Sequence, residues 1–222
     1  MSPGIIRRLF AGRLLLSIVL CSLLGTVCVG CTKSVTVADS FPSPVIEPLP
    51  LDVGLHYNEA LQKFTYQKAF SGGTKYKVEL GPSHLKLFER LFGSMFQNVT
   101  PVRDVESASS NVHDINAIIA PKIDEYVFNT PDDNGTDYYE VSIRYQISVY
   151  SPRGELITSW PVTGYGKSRA RKFKSGQAVG KATTEAMRDA AAFMAIEFRK
   201  LPEVKRLVSK KSVDQEEKLI EK

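Results

Sequence analysis

The chain has 222 residues, with 29 Lys and Arg against 24 Asp and Glu and a formal net charge of +5. Arg7, Arg8 and Arg13 fall in residues 1–30, which hold no acidic residue, so residues 31–222 carry 26 basic and 24 acidic side chains. That near balance gives no global argument for nucleic acid, and the length suits one domain of ordinary size. Cys21, Cys28 and Cys31 are the only cysteines, which excludes a disulfide, a thiolate nucleophile or a cysteine metal site from the part beyond them. No internal repeat is found.

In chain order the first segment is basic and then apolar. Arg7, Arg8 and Arg13 precede Leu14, Leu15, Leu16, Ser17, Ile18, Val19 and Leu20, and no charge occurs between Arg13 and Lys33. A basic start, a short apolar core and a small-residue end are the anatomy of a secretion signal over residues 1–30. An uncleaved anchor is the alternative, because the uncharged run is nearly long enough to cross a bilayer. Ser22, Gly25, Thr26 and Gly30 interrupt its apolar character and favour cleavage. With Gly30 directly before Cys31, the segment resembles that of a bacterial lipoprotein precursor. The resemblance implies that Cys31 is acylated and becomes the first residue of the mature chain. By the same resemblance, Thr32 after the cysteine implies the periplasmic face of the outer membrane.

Residues 31–50 contain Pro42, Pro44, Pro48 and Pro50, a density that predicts an extended tether with a reach of about 60 Å. The domain proper is expected over residues 51–208. Val53, Leu55 and Tyr57 alternate with Asp52, Gly54 and His56 as in a half-buried strand. After Phe64 and Tyr66, the run Ser71, Gly72, Gly73 marks a turn, and residues 75–80 read as a strand with Tyr76, Val78 and Leu80 on one face. Gly81, Pro82 and Ser83 open a helix, with Ser83 expected to satisfy free amides. Leu85, Phe88, Phe92, Met95, Phe96 and Val99 give it an apolar stripe, and Lys86, Glu89 and Arg90 lie opposite, so the helix is expected to reach residue 98.

Residues 102–105 read as a short strand and residues 106–113 as a polar loop. Residues 115–128 read as a long strand, irregular at Pro121, which cannot donate to a ladder. The run from Thr130 to Gly135 is a turn cluster. In the next strand Tyr139, Val141, Ile143, Tyr145, Ile147 and Val149 face one way and Glu140, Ser142, Arg144, Gln146 and Ser148 the other, the pattern of an antiparallel sheet with one wet face. Ser151, Pro152, Arg153 and Gly154 turn it into a partner strand over residues 156–164, with Trp160 and Val162 on its apolar face. A final helix over residues 176–199 carries Ala178, Ala182, Ala186, Ala190 and Phe193 as its stripe, small enough for close approach to the sheet. Pro202 ends or kinks it, and residues 209–222 read as a charged tail, either a frayed helix or disordered.

This order predicts an α+β fold, a mostly antiparallel sheet with two helices packed on one face. The tethered start, the helix at residues 83–98, the hairpin at 137–166 and the alanine-rich helix resemble the small α+β domains of envelope lipoproteins. Among these are the accessory lipoproteins of transport systems and the curli-export or penicillin-binding-protein activator type. The resemblance implies a non-enzymatic role accessory to envelope assembly or transport.

Few residues suggest chemistry. Ser83 and Lys86 fit an S-x-x-K pattern, but the S-D-N and K-T-G motifs that accompany it in penicillin-recognising enzymes are missing. Gly166, Lys167 and Ser168 end like a phosphate-binding loop, yet Pro161 stands where its first glycine belongs. His56, His84 and His113 lack metal-ligand spacing, and the acidic turn at Asp132 and Asp133 lacks the closing Glu of a calcium loop, so neither a metal nor a cofactor is expected. The basic stretch of Lys167, Arg169, Arg171, Lys172 and Lys174 stands out against the balanced charge of the rest. Local positive potential of this kind attracts lipid headgroups, acidic glycan or an acidic protein partner, although a solvated loop has the same composition. A cell-wall hydrolase or transferase would need a polar cluster converging on a cleft, and a carrier of apolar ligands would need a large apolar cavity.

Overall fold

The structure, a computed structural model, describes residues 32–37, 40–70, 74–106, 115–169 and 174–220. In chain order the elements are β1 Thr32–Val35, β2 Leu49–Leu55, α1 Glu59–Gln62, β3 Thr65–Ala69, β4 Lys75–Glu79, α2 Gly81–Met95, β5 Phe96–Pro101, β6 Ala117–Asn129, α3 Pro131–Asn134, β7 Tyr138–Tyr150, β8 Leu156–Arg169, α4 Ser175–Glu197, a 3₁₀ turn Phe198–Lys200 and α5 Pro202–Ile220. The fold is α+β, as the sequence predicts.

The alternation in β7 makes it the middle of the largest pairing. It runs antiparallel between β6 and β8 in a sheet of order β5-β2-β6-β7-β8, with β2 parallel to both β5 and β6. Val141, Ile143, Tyr145, Ile147 and Val149 are buried, and the intervening side chains are half-buried or exposed. Gly166, Gly164 and Val162 of β8 sit opposite Val141, Ile143 and Tyr145 and share their face. Onto that face α4 lays Ala182, Ala186 and Ala190, all fully buried. The approach requires glycine below: a Cβ on Gly164 would fall 2.0 Å from the Ala186 carbonyl oxygen, and one on Gly166 2.1 Å from that of Ala182.

The second helix, α2, covers the same face through rings. Phe88 stacks on Phe92 at 5.6 Å and meets Tyr145 edge-on at 5.4 Å. A small sheet of order β1-β4-β3 completes the layer, with Tyr66 4.8 Å from Tyr126 and Tyr76 5.4 Å from Phe128 between ring centroids. One five-stranded sheet is therefore covered on one face by two helices and a three-stranded sheet. Its other face holds a small cluster of Val102, Ile115 and Ile118, with Val105 and Tyr150 packed against it.

Several elements differ from the sequence reading. Residues 32–50 are not a free tether: Thr32–Val35 pairs with β4, Val35, Val37 and Phe41 are buried, and Leu49 and Pro50 open β2. Arginines strap this segment down, since Arg90 and Arg188 donate to the Phe41 and Ser40 carbonyls and Arg199 to that of Glu47. Arg90 therefore has a partner instead of only facing solvent. Helix α2 stops at Met95, and residues 96–101 form a strand beside β2, so the expected strand at 102–105 lies one element too late. Ser83 is buried and makes no capping bond; Leu80 holds the cap position.

Pro121 is paired opposite Ile147 without a break, because the pairing of β6 with β2 ends at Ile119 and no donor is needed beyond it. The irregularity falls instead between Ile123 and Glu125. The turn at 130–135 tightens into α3, where the Asp133 carboxylate accepts from the Thr130 amide and hydroxyl, both at 2.9 Å. Phe193 is not in the buried stripe; it is 47% exposed and stacks on Trp160 at 5.6 Å. Pro202 starts α5 instead of ending or kinking α4, and α5 takes the helical alternative for the tail as far as Ile220 and seats Lys211 on Asp52. The signal at residues 1–30, the turn at Ser71 to Gly73 and most of the polar loop, His113 included, lie outside the described residues.

Candidate functional site

The basic stretch begins inside a strand. β8 extends to Arg169, past the expected end at residue 164, so Lys167 and Arg169 project from the wet face while Ser168 between them is buried. That placement excludes the phosphate-loop reading of Gly166 to Ser168, since Gly166 lies under α4 and no helix follows Ser168 directly. Lys167 and Arg169 flank the Tyr138 ring at 5.4 and 5.2 Å from its centroid, and Arg169 also pairs with Asp137 at 3.0 Å. Lys174 stands directly before α4 and makes no side-chain capping bond. Arg171 and Lys172 lie outside the described residues, as does Cys31.

The fold adds two cations that the sequence did not connect with this stretch. β1 pairs in parallel with β4, which places Thr32 opposite Lys75. The Lys33 ammonium donates to the Ser175 hydroxyl at 2.8 Å and stands 5.6 Å from the Tyr76 ring centroid. Lys33, Ser34, Lys174 and Ser175 line one open depression of about 340 Å³. Lys33, Lys75 and Lys174 are all exposed. The starts of β1, β4, β7 and α4 and the ends of β3, β6 and β8 thus meet at one pole of the domain. Tyr139 lies beneath: burial first, then its hydrogen bond with Tyr76, push its phenol up to about 12.

The other sequence candidates do not assemble. Ser83 is buried whereas Lys86 is exposed, so the S-x-x-K pair does not open together to solvent. His56 is half-buried, and His84 is fully buried among Phe64, Phe88 and Tyr145. No group of three metal-ligating side chains occurs among the described residues. Neither ring nitrogen of His84 has a partner in bonding geometry among the described residues, and the Tyr145 hydroxyl has none. Burial pushes the His84 imidazole down to about 3, opposed only weakly by the Leu61 backbone. Burial also raises the Tyr145 and Tyr126 phenols, the latter bonded to the Thr183 hydroxyl at 2.7 Å. Such shifts can mark a catalytic cluster, but these groups lie in the ring-packed core.

An apolar cavity of about 180 Å³ lies under the strap at Phe41, Pro42 and Pro44, against Leu87, Leu91 and Ala191. Ligand pockets commonly measure roughly 300–1,000 Å³, so this one is small for a carrier. Among the described residues no helix is long and apolar enough to cross a membrane.

These observations define a two-layer α+β domain with a cationic pole at the point where the chain enters it. No family model and no curated protein matches the sequence. Among the solved structures similar to it are three bacterial proteins. Protein XCC0632 from Xanthomonas campestris, of the DUF330 family, has a TM-score of 0.47 at 11% identity, covering 83% of this chain and 99% of that one. A Helicobacter pylori protein described as a neuraminyllactose-binding hemagglutinin homolog has a TM-score of 0.43 at 14% identity, over 81% of this chain and 100% of its own. The hypothetical protein CT253 from Chlamydia trachomatis has a TM-score of 0.40 at 9% identity, over 65% of this chain and 96% of its own.

Proposed function

We propose that the chain is a lipoprotein, anchored through acyl chains on Cys31 to the periplasmic face of the outer membrane. It presents a non-enzymatic α+β interaction domain accessory to an envelope assembly or transport system. One observation carries the reading: a basic and then apolar leader ends on Gly30 and Cys31, and a strand of the domain, β1, spans Thr32–Val35. Because β1 is built into the small sheet, the anchor holds the domain directly, with no leash between.

Cys31→Ser removes the only thiol at that site and is expected to leave an unacylated precursor that keeps residues 1–30. The mass of the amino-terminal peptide from native membranes reads both changes. A wild-type chain that begins at Met1 with an unmodified Cys31 would replace the lipoprotein reading with the uncleaved anchor.

A further inference from the structure

We propose that the cationic pole is a docking face for the anionic phospholipid headgroups of the bilayer that carries the anchor. The inference rests on the lipoprotein reading for the position of the anchor at Cys31. One residue of extended chain spans about 3.3–3.6 Å, so a bilayer that holds Cys31 comes within a few ångströms of Thr32. With β1 fixed between β4 and α4, the domain cannot swing away on a linker, and the same pole always faces the headgroups.

The charges at that pole fit an anionic surface. Lys33, Lys75, Lys167, Arg169 and Lys174 lie there, all of them exposed. Lys68, bonded to the Phe128 carbonyl, adds a cation at the end of β3. Asp132, Asp133, Asp137 and Glu140 oppose them; Asp137 pairs with Arg169, and Asp133, stabilised as an anion by Thr130, keeps its charge, so the six cations exceed the four carboxylates by two. Lys75 and Lys174 form no ion pair with a described residue. They stand available, and each basic residue close to an anionic leaflet adds about fivefold to attraction.

The test uses the full chain purified from membranes with its native amino terminus. It is reconstituted in vesicles of phosphatidylethanolamine with phosphatidylglycerol and, separately, in phosphatidylcholine alone. Exposed amines are labelled with an impermeant reagent, and rates are read lysine by lysine by mass spectrometry. Labelling of Lys33, Lys75 and Lys174 is expected to slow by about fivefold or more on the anionic vesicles. Lys210, which lines a depression with Ser151 and Pro152 at the opposite pole, should label equally in both. The difference should vanish in roughly 1 M salt, where screening acts within about 3 Å. Lys75→Gln combined with Lys174→Gln should restore fast labelling of Lys33.

Equal rates in both lipids overturn the proposal. So does slowing that ignores lipid charge and salt, which is steric shielding by the tethered bilayer. Protection that appears only when solubilised envelope is added also overturns it, in favour of an acidic glycan or protein. The amino-terminal mass of the same sample separates the two readings. Acylated Cys31 without protection removes the docking face alone, whereas salt-sensitive protection on an unacylated chain removes the lipoprotein reading alone.

Discussion

Helix α4 lies on β8 with backbone against backbone, whereas α2 stands off β7 on a layer of rings. In the first contact Ala182 and Ala186 meet Gly166 and Gly164, and what a new Cβ would strike is a carbonyl oxygen or an amide nitrogen. Backbone in a helix cannot rotate away. In the second contact Phe88, Phe92 and Tyr145 fill the space, and each ring holds its position through neighbours that can shift when one changes. One interface is therefore intolerant of addition and the other of removal, although both bury the same face of the same sheet.

The largest expected effect tests the intolerant side. Gly166→Ala places a methyl group 2.1 Å from the Ala182 carbonyl oxygen and 2.5 Å from the Ala186 amide nitrogen, so α4 must lift along its length. The loss should exceed about 4 kcal/mol or prevent folding, beyond the usual range for overpacking. Soluble yield and urea unfolding measure it. A variant within about 1 kcal/mol of the parent would mean that α4 can slide on the sheet, and the contrast between the two helices would collapse.

Emptying the ring layer comes next. Phe88→Ala and Phe92→Ala, each at a fully buried site, should cost about 3–5 kcal/mol through lost transfer energy and the cavity left behind. Chemical denaturation of the two variants checks the value. Near-neutral results would show that the neighbouring rings close the gap, and the layer would be softer than its stacking suggests.

How much of this was legible in the sequence follows from where periodicity is strong. β7 alternates over its whole length, and α4 repeats alanine every four residues, so the core faces of both are legible in the sequence, Phe193 of α4 excepted. The glycines of β8 were visible too, but their purpose needed the register that sets them under the alanines. β1 offers Thr32, Lys33, Ser34 and Val35, with one apolar residue in four, too short for any period to register; its pairing partner alone makes it a strand. Consequently Lys33 and Lys75 could not be joined to the basic stretch. β5 reads as a continuation of α2 because Phe96 and Val99 also fit helical spacing from Phe92. In α5 the charge density leaves a frayed helix and a disordered tail both open; Val204, Leu207, Val208 and Lys211 recur at helical spacing, and the seat of Lys211 on Asp52 decides for the helix.

The smallest of these effects sharpens the comparison because it probes the imidazole in the aromatic layer. His84 packs edge-on to Tyr145 at 5.5 Å and is fully buried. In the folded protein burial holds its imidazole at about 3, below the ordinary value of 6.5 that the unfolded chain regains. Between those values the unfolded chain takes up a proton that the folded one refuses, so stability rises with pH across the window and is lost on acidification below 6.5. At about 1.36 kcal/mol per pH unit, lowering the pH from 7 to 5 should cost about 2 kcal/mol. The carboxyls of Asp52 and Asp133 are held below their ordinary range, burial of Asp52 being outweighed by Lys211 and Asn98 and Asp133 being stabilised by the Thr130 backbone. Their contributions are lost only as the pH falls below the ordinary carboxyl value of 3.8, outside the interval from pH 7 to 5. His84→Leu removes the titrating ring at similar volume and should flatten the profile between pH 7 and 5. Urea midpoints at a series of pH values measure it, and a parent protein equally stable at pH 5 and 7 would show that His84 finds a proton-sharing partner in the core.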